Sequence, residues 1–211
     1  MNLVVKIFSP LILLIFSLCI FSIWTSNCSS YTTYSYALKK AGTTPYKAPK
    51  IKLINKFREK LILGACSEKY TLVNFIYLNC PHACPISVLK MRNIIQRSND
   101  DFFLSNLSFL SVSFDPKRDS IKKINIFWQL QGKIFQWDIA VIDENSEDLE
   151  KKFAKLGVWA KYDRLKEFSH TNFFFLLDRS GRVVQIFFPE QKIENILKII
   201  KKNIKIKNGD E

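Results

Sequence analysis

Glycine is scarce in this chain, 6 of 211 residues, and histidine occurs only twice. With so few glycines, the lysines are not gathered with glycine and aromatic residues into a nucleic-acid patch; they are scattered along the whole length. The 32 basic against 19 acidic side chains give a formal net charge of +13. Lysine, isoleucine, asparagine and phenylalanine are all abundant, so a coding bias supplies much of that charge. The reading is a solvated basic surface and no nucleic-acid partner. Cysteine is also sparse. Cys19 lies inside an N-terminal apolar segment and Cys28 just after it, which leaves Cys66, Cys80 and Cys84 for the globular part. Three cysteines are too few for a disulfide scaffold. Cys66 precedes an apolar run and is expected to pack in or near the core. There is no internal repeat. Nor is there a signature of disorder, because apolar residues make up 47% of the chain.

The 18 residues from Ile7 to Trp24 carry no charge and are almost all apolar, long enough to just span a bilayer core. No small-x-small cleavage site follows, and Thr25-Ser26-Asn27 before Cys28 is a poor lipoprotein signal, so an uncleaved signal anchor over residues 1–25 is expected. Absence of an Arg-rich amphipathic presequence favours a bacterial membrane protein. Residues 26–50 are rich in Ser, Thr and Tyr, contain Pro45 and Pro49, and show no sustained period. They read as a flexible tether. The globular domain is expected over 51–205, with a polar tail at 206–211.

Within that domain the pattern alternates. Strands are predicted at 72–78, 107–114, 137–142, 172–177 and 182–188, the last two joined by the turn Asp178-Arg179-Ser180-Gly181. Helices are predicted at 85–98, 119–131, 147–156 (with Gly157 as its C-cap) and 193–200. This order implies an α/β sheet with helices on both faces.

The chemistry concentrates in Cys80-Pro81-His82-Ala83-Cys84-Pro85, directly after a strand and at a helix start. A proline after each cysteine disfavours helical backbone there, which makes Cys84 an N-cap-like residue and leaves Cys80 in the preceding loop. A helix N-terminus lowers thiol pKa values. Strand, cysteine pair and helix start form a thioredoxin-like arrangement, but three residues separate the cysteines where a thioredoxin has two. No proline lies between Pro116 and Pro189, so the cis-proline that faces the cysteines in thioredoxin-type enzymes has no counterpart. Ser169-His170-Thr171 stands there instead. Two thiols and an imidazole suit copper in either oxidation state, or zinc; thiol redox chemistry needs only the cysteines.

Three blocks, LVNFIYLNCPHACPISVLKM, SVSFDPKRDS and FSHTNFFFLLDRSGRVV, resemble in order the signatures of the Sco/SenC family, over roughly 53–201. The resemblance implies a thioredoxin-like fold, a membrane anchor, an extracytoplasmic domain, and copper held by Cys80, Cys84 and His170. It implies delivery of Cu(I) or Cu(II) to the CuA-bearing subunit of cytochrome c oxidase, or reduction of that subunit's thiols by the Cys80/Cys84 redox pair. Other copper chaperones or thiol reductants are implied partners, and the bacterial inner membrane, with the domain in the periplasm, is the implied location. An extracytoplasmic thiol-disulfide oxidoreductase and a copper or redox sensor are the alternative functions. Asp115 and Asp119 match the family's acidic block, and as residues they read as helix capping and turn formation. Leu78, His82 and Ser169 depart from the family's usual Thr, Asp and Asp.

Overall fold

The computed structural model describes residues 2–24, 35, 38–39, 41–78, 83–144, 146–158, 160–162 and 168–209. In chain order the elements are α1 (Asn2–Trp24), β1 (Tyr46–Lys47), β2 (Ile51–Asn55), β3 (Lys60–Leu63), β4 (Tyr70–Ile76), α2 (Ala83–Arg97), α3 (Asp101–Asn106), β5 (Leu107–Ser113), α4 (Ile121–Leu130), β6 (Trp137–Ile142), α5 (Ser146–Leu156), β7 (Ala160–Tyr162), β8 (Phe168–His170), β9 (Phe174–Leu177), β10 (Arg182–Phe187) and α6 (Ile193–Asn208). Eight strands form one sheet in the order β1-β10-β9-β4-β5-β6-β2-β3, and β7 and β8 make a separate ribbon.

Predominantly apolar runs suit strands covered on both faces, and β9 and β4 lie third and fourth among the eight strands. β4 lies parallel to β5 on one edge and antiparallel to β9 on the other. Successive side chains of a strand point to opposite faces. Phe75 meets Phe153 of α5 edge-on, centroids 5.6 Å apart. Ile76 instead lines a cleft with Val88 of α2 and Phe127 of α4. Helices therefore cover both faces, as the alternation predicts. Trp137 of β6, fully buried, donates through Nε1 to Ser111 Oγ at 2.9 Å, and that hydroxyl donates to Asn74 Oδ1 at 2.6 Å. This relay links three adjacent strands inside the core.

Several expectations need correction. The helix expected from Pro85 begins at Ala83, so Cys84 stands in its first turn and does not cap it. Pro85 fits there because the first four helical N–H groups have no intrahelical acceptor to lose. The last helix extends well past Ile200, because fully buried Ile204 continues its apolar stripe. The hairpin β2–β3 was hidden by its lysines, although Ile51 and Leu53 alternate with Lys52 in burial. Tyr46–Lys47, inside the stretch expected as tether, pairs with Val183 and Arg182. Tyr46 Oη donates to the Leu156 carbonyl at 2.7 Å, and burial pushes its pKa up. Cys66 is exposed, not core. Its loop is held by main chain, with Ala65 N–H on the Ile62 carbonyl and Ser67 N–H on the Arg179 carbonyl. Among the described residues no helix is long and apolar enough to cross a membrane. Side chains of α1 are described from Ile12 to Ile23 only, and the large apolar ones among them are exposed.

The turn between β9 and β10 joins the N-terminal part of the domain to the sheet. Asp178 Oδ1 accepts from Ser180 N–H, Ser180 Oγ and Arg182 N–H, and Gly181 O accepts from Ala48 N–H. Gly181 has φ +74°, and a Cβ there would lie 2.4 Å from the Gly64 carbonyl oxygen. Gly181→Ala should therefore destabilise the protein by more than ~1 kcal/mol in urea unfolding, and a variant as stable as the parent would refute the close approach.

Glu144 joins β2 to α5. Its Oε1 accepts from Lys52 N–H at 2.7 Å and its Oε2 from Lys152 Nζ. Burial raises its pKa, but Lys152 and the Lys52 N–H outweigh that and hold the carboxyl below the usual glutamate value. A carboxyl depressed on folding contributes stability above its unfolded pKa and loses it as pH falls through the folded pKa. Glu144→Gln should accordingly cost stability at neutral pH and progressively less as pH drops below the ordinary glutamate range. Urea titrations across that range check this, and a pH-independent difference would contradict it.

Candidate functional site

β4 ends at Ile76, and the described chain continues to Leu78 before residues 79–82, which lie outside the described residues. Cys80 and His82 fall in that gap. Cys84 is the second residue of α2, and His170 ends β8, paired with Ala160. The sheet register brings the end of β4 and the start of β9 to one end. β9 runs antiparallel to β4 with Phe174 opposite Asn74, so the segment leading from His170 into β9 arrives where β4 runs out toward the cysteines. Among the described residues no group of three His, Cys, Asp or Glu could hold a metal ion. The expected ligand set therefore draws on side chains beyond that description.

The described floor of this region is built by the acidic block after β5. Phe114 N–H donates to the Ile76 carbonyl at 3.1 Å, one more rung of the parallel β4–β5 ladder. The chain then turns, with the Asp115 carbonyl accepting from Arg118 N–H at 3.1 Å and Asp119 N–H at 2.9 Å. In a parallel ladder the next donor due on β4 is Leu78 N–H. It finds a side chain instead of backbone: Asp119 Oδ2 accepts it at 2.9 Å and also accepts Ser113 Oγ at 2.6 Å. Asp119 and Asp115 are each 1% exposed. The Asp115 carboxylate accepts from Arg118 Nε, and the Arg118 guanidinium sits 5.7 Å from the Tyr77 ring centroid. Tyr77 in turn packs on Phe114 with centroids 5.5 Å apart.

Of the capping and turn formation read for Asp115 and Asp119 together, the turn is present, closed on the Asp115 carbonyl, but neither residue is the helix cap. Ser120 caps α4, its hydroxyl accepting from Lys123 N–H. The sequence signal was Ser113, two residues before the Asp-Pro turn: a hydroxyl at a strand end that needs an acceptor once buried.

Next to this floor lies a cleft of about 230 Å³ lined by Ile76, Leu78, Pro85, Val88, Leu89 and Phe127. Beside it Ile86 and Leu89 are 66% and 56% exposed, so the helix that carries Cys84 presents an apolar outer face. Lys90, two turns into that helix, donates through Nζ to the carbonyls of Pro189 and Gln191 and ties α2 to the loop before α6. Burial pulls its pKa down, with Glu190 opposing.

The family model for SCO1/SenC matches residues 42–205. A SCO2-like protein of Rickettsia prowazekii is 24% identical over 139 residues, covering 62% of this chain and 64% of that protein, so the chain spans just under two thirds of that relative. Among solved structures, the copper-bound ScoI of Bradyrhizobium japonicum superposes with a TM-score of 0.60 at 20% identity, over 74% of this chain and 99% of ScoI. BsSco, described as having a disulfide switch and as a member of the Sco family of cytochrome c oxidase assembly proteins, superposes with a TM-score of 0.63 at 18% identity over 76% of this chain and 94% of BsSco. The sheet, the helix that carries Cys84 and the match over residues 42–205 lead to one assignment: this chain belongs to the SCO1/SenC family, with its mixed α/β, thioredoxin-like fold.

Proposed function

We propose that this protein is a membrane-tethered copper carrier that serves the CuA-bearing subunit during cytochrome c oxidase assembly. The observation that carries the reading is the sheet register, which directs the chain after β4 and the chain before β9 to the same end. Cys80, Cys84 and His170 are the proposed ligands on those two segments. Thiolates favour Cu(I) and an imidazole extends the set to Cu(II), which fits a site that accepts copper and gives it up again. ScoI from Bradyrhizobium japonicum, a relative by fold, binds copper. Transfer would proceed by ligand exchange: thiolates of the client replace Cys80 and Cys84 one at a time, with copper never released to water.

The disulfide switch of BsSco favours a second use of the same pair. Reduced Cys80 and Cys84 would attack a client disulfide, form a mixed disulfide, and close their own S–S bond. Two electrons and two protons would pass to the client's sulfurs. The two uses are compatible in one protein, because the client must have reduced thiols before it can take copper.

Anaerobic titration of the reduced protein with copper tests the ligand set. One copper per chain is expected, and Cys80→Ser, Cys84→Ser or His170→Ala should each weaken binding by about 10-fold or more. Undiminished affinity in His170→Ala would sink the three-ligand set, and absence of binding in the parent would leave the oxidoreductase reading.

The tether is proposed from the N-terminus. It rests on the sequence alone: the 18 residues from Ile7 to Trp24 are uncharged and almost all apolar, about the least that spans a bilayer core. The proposed location is the bacterial inner membrane, with the domain in the periplasm. The protein should remain in the membrane pellet after alkaline carbonate extraction and be digested by protease added to spheroplasts. Release by carbonate, or protection from protease, would contradict the anchor or its orientation.

A further inference from the structure

We infer that Asp119 is a positioning residue for the cysteine loop: its carboxylate takes the place of a missing backbone carbonyl and fixes the direction in which β4 delivers the chain to Cys80. The inference rests on the copper reading above for its consequence, though not for its geometry. Three observations carry it.

β5 leaves the sheet after Phe114, so Leu78 N–H, two residues before Cys80, has no ladder acceptor and takes Asp119 Oδ2 at 2.9 Å. That oxygen is aimed by a second donor, Ser113 Oγ at 2.6 Å, from the strand the ladder has just lost. Finally, the carboxylate is buried, 1% exposed, and Asp119 Oδ1 has no hydrogen-bond partner among the described residues. A buried charge so placed is costly unless it is used, and a helix cap does not explain it, because Ser120 performs that task. The turn from Asp115 to Asp119, closed by the backbone bonds on the Asp115 carbonyl, presets the distance from strand end to carboxylate.

A hydrogen bond to an ionised acceptor is shorter and roughly twice as strong as a neutral one. It therefore holds the Leu78 amide without any neighbouring strand. Losing it would free the end of β4 and loosen the proposed ligand set that follows it in the chain. Asparagine keeps an acceptor oxygen in the same place but without charge. Alanine removes it.

The test uses the full chain in detergent, reduced and metal-free, as the parent, Asp119→Asn and Asp119→Ala. Two quantities are read in each: amide hydrogen exchange at Leu78, and Cu(I) affinity by competition with a chromophoric chelator. Asp119→Ala should speed Leu78 exchange by about 10-fold or more, as expected for losing a hydrogen bond to a charged group. It should weaken Cu(I) binding by roughly 10- to 100-fold, the range for residues that orient metal ligands. Asp119→Asn should fall between the parent and alanine in both. Should the alanine variant fail to fold, the asparagine variant decides alone. Leu78 exchange at the parent value in the variant that folds would overturn the inference, and so would weakened copper binding with Leu78 protection intact. A parent that binds no copper would refute the functional reading while the exchange data still judge Asp119.

Discussion

Strand β4 is held on both edges at once, by a parallel partner and by an antiparallel one, and that double pairing sets everything downstream. A strand paired on one edge can slip by two residues and still bury the right face. β4 cannot, because Asn74 is fixed opposite Ser111 in β5 and Phe174 in β9, and its side chain is bonded to Ser111 within the core. The end of β4 is therefore located relative to two other chain segments, the turn at Asp115 and the approach to β9. Chemistry that needs residues from distant parts of the sequence can be built on such an end, because each contributor arrives on a strand whose register is already determined.

The same constraint explains why polar residues are concentrated inside an otherwise apolar sheet. Asn74, Ser111, Ser113, Asp115 and Asp119 are all buried. Buried polar groups are tolerated when hydrogen-bonded and add directionality that apolar packing lacks. Here they run along the β4–β5 seam toward the end where the cysteines emerge, and they orient backbone as much as they fill space. The aromatic residues do the complementary task. Phe75, Phe153 and Phe175 pack edge-to-face across the other side of the sheet, with centroids 5.6 and 6.0 Å from Phe75.

Much of this was legible in the residues. LVNFIYL and NFFFLL are too uniformly apolar for anything but inner strands, and the spacing in 119–131 and 147–156 could only be helical. The order of the cysteine hexapeptide with the Asp-Pro and His blocks announced the family. What stayed hidden follows a physical pattern. β2 carries Lys52 among its apolar residues and β3 opens on Lys60, and in so basic a chain these short runs do not stand out. β1 is two residues long and is defined by its partner, not by its own preference. Asp119, like Asp115, read as a capping or turn residue because Asp beside a helix start usually is one. Its true acceptor role depends on where β5 departs from β4, a tertiary fact that local spacing cannot carry.

The two borders of the sheet have a consequence for how such a domain behaves when crowded. An open strand border invites pairing with another chain. One border here is β1, only two residues long, and the other is β3, whose first residue is Lys60 and which exposes Ile62 at 50%. The first offers too short a ladder to template a neighbour. The second is the weaker guard: four residues with an apolar side chain outward and a single lysine as gatekeeper. Association between copies at high local density would begin along β3, at the opposite border of the sheet from β1.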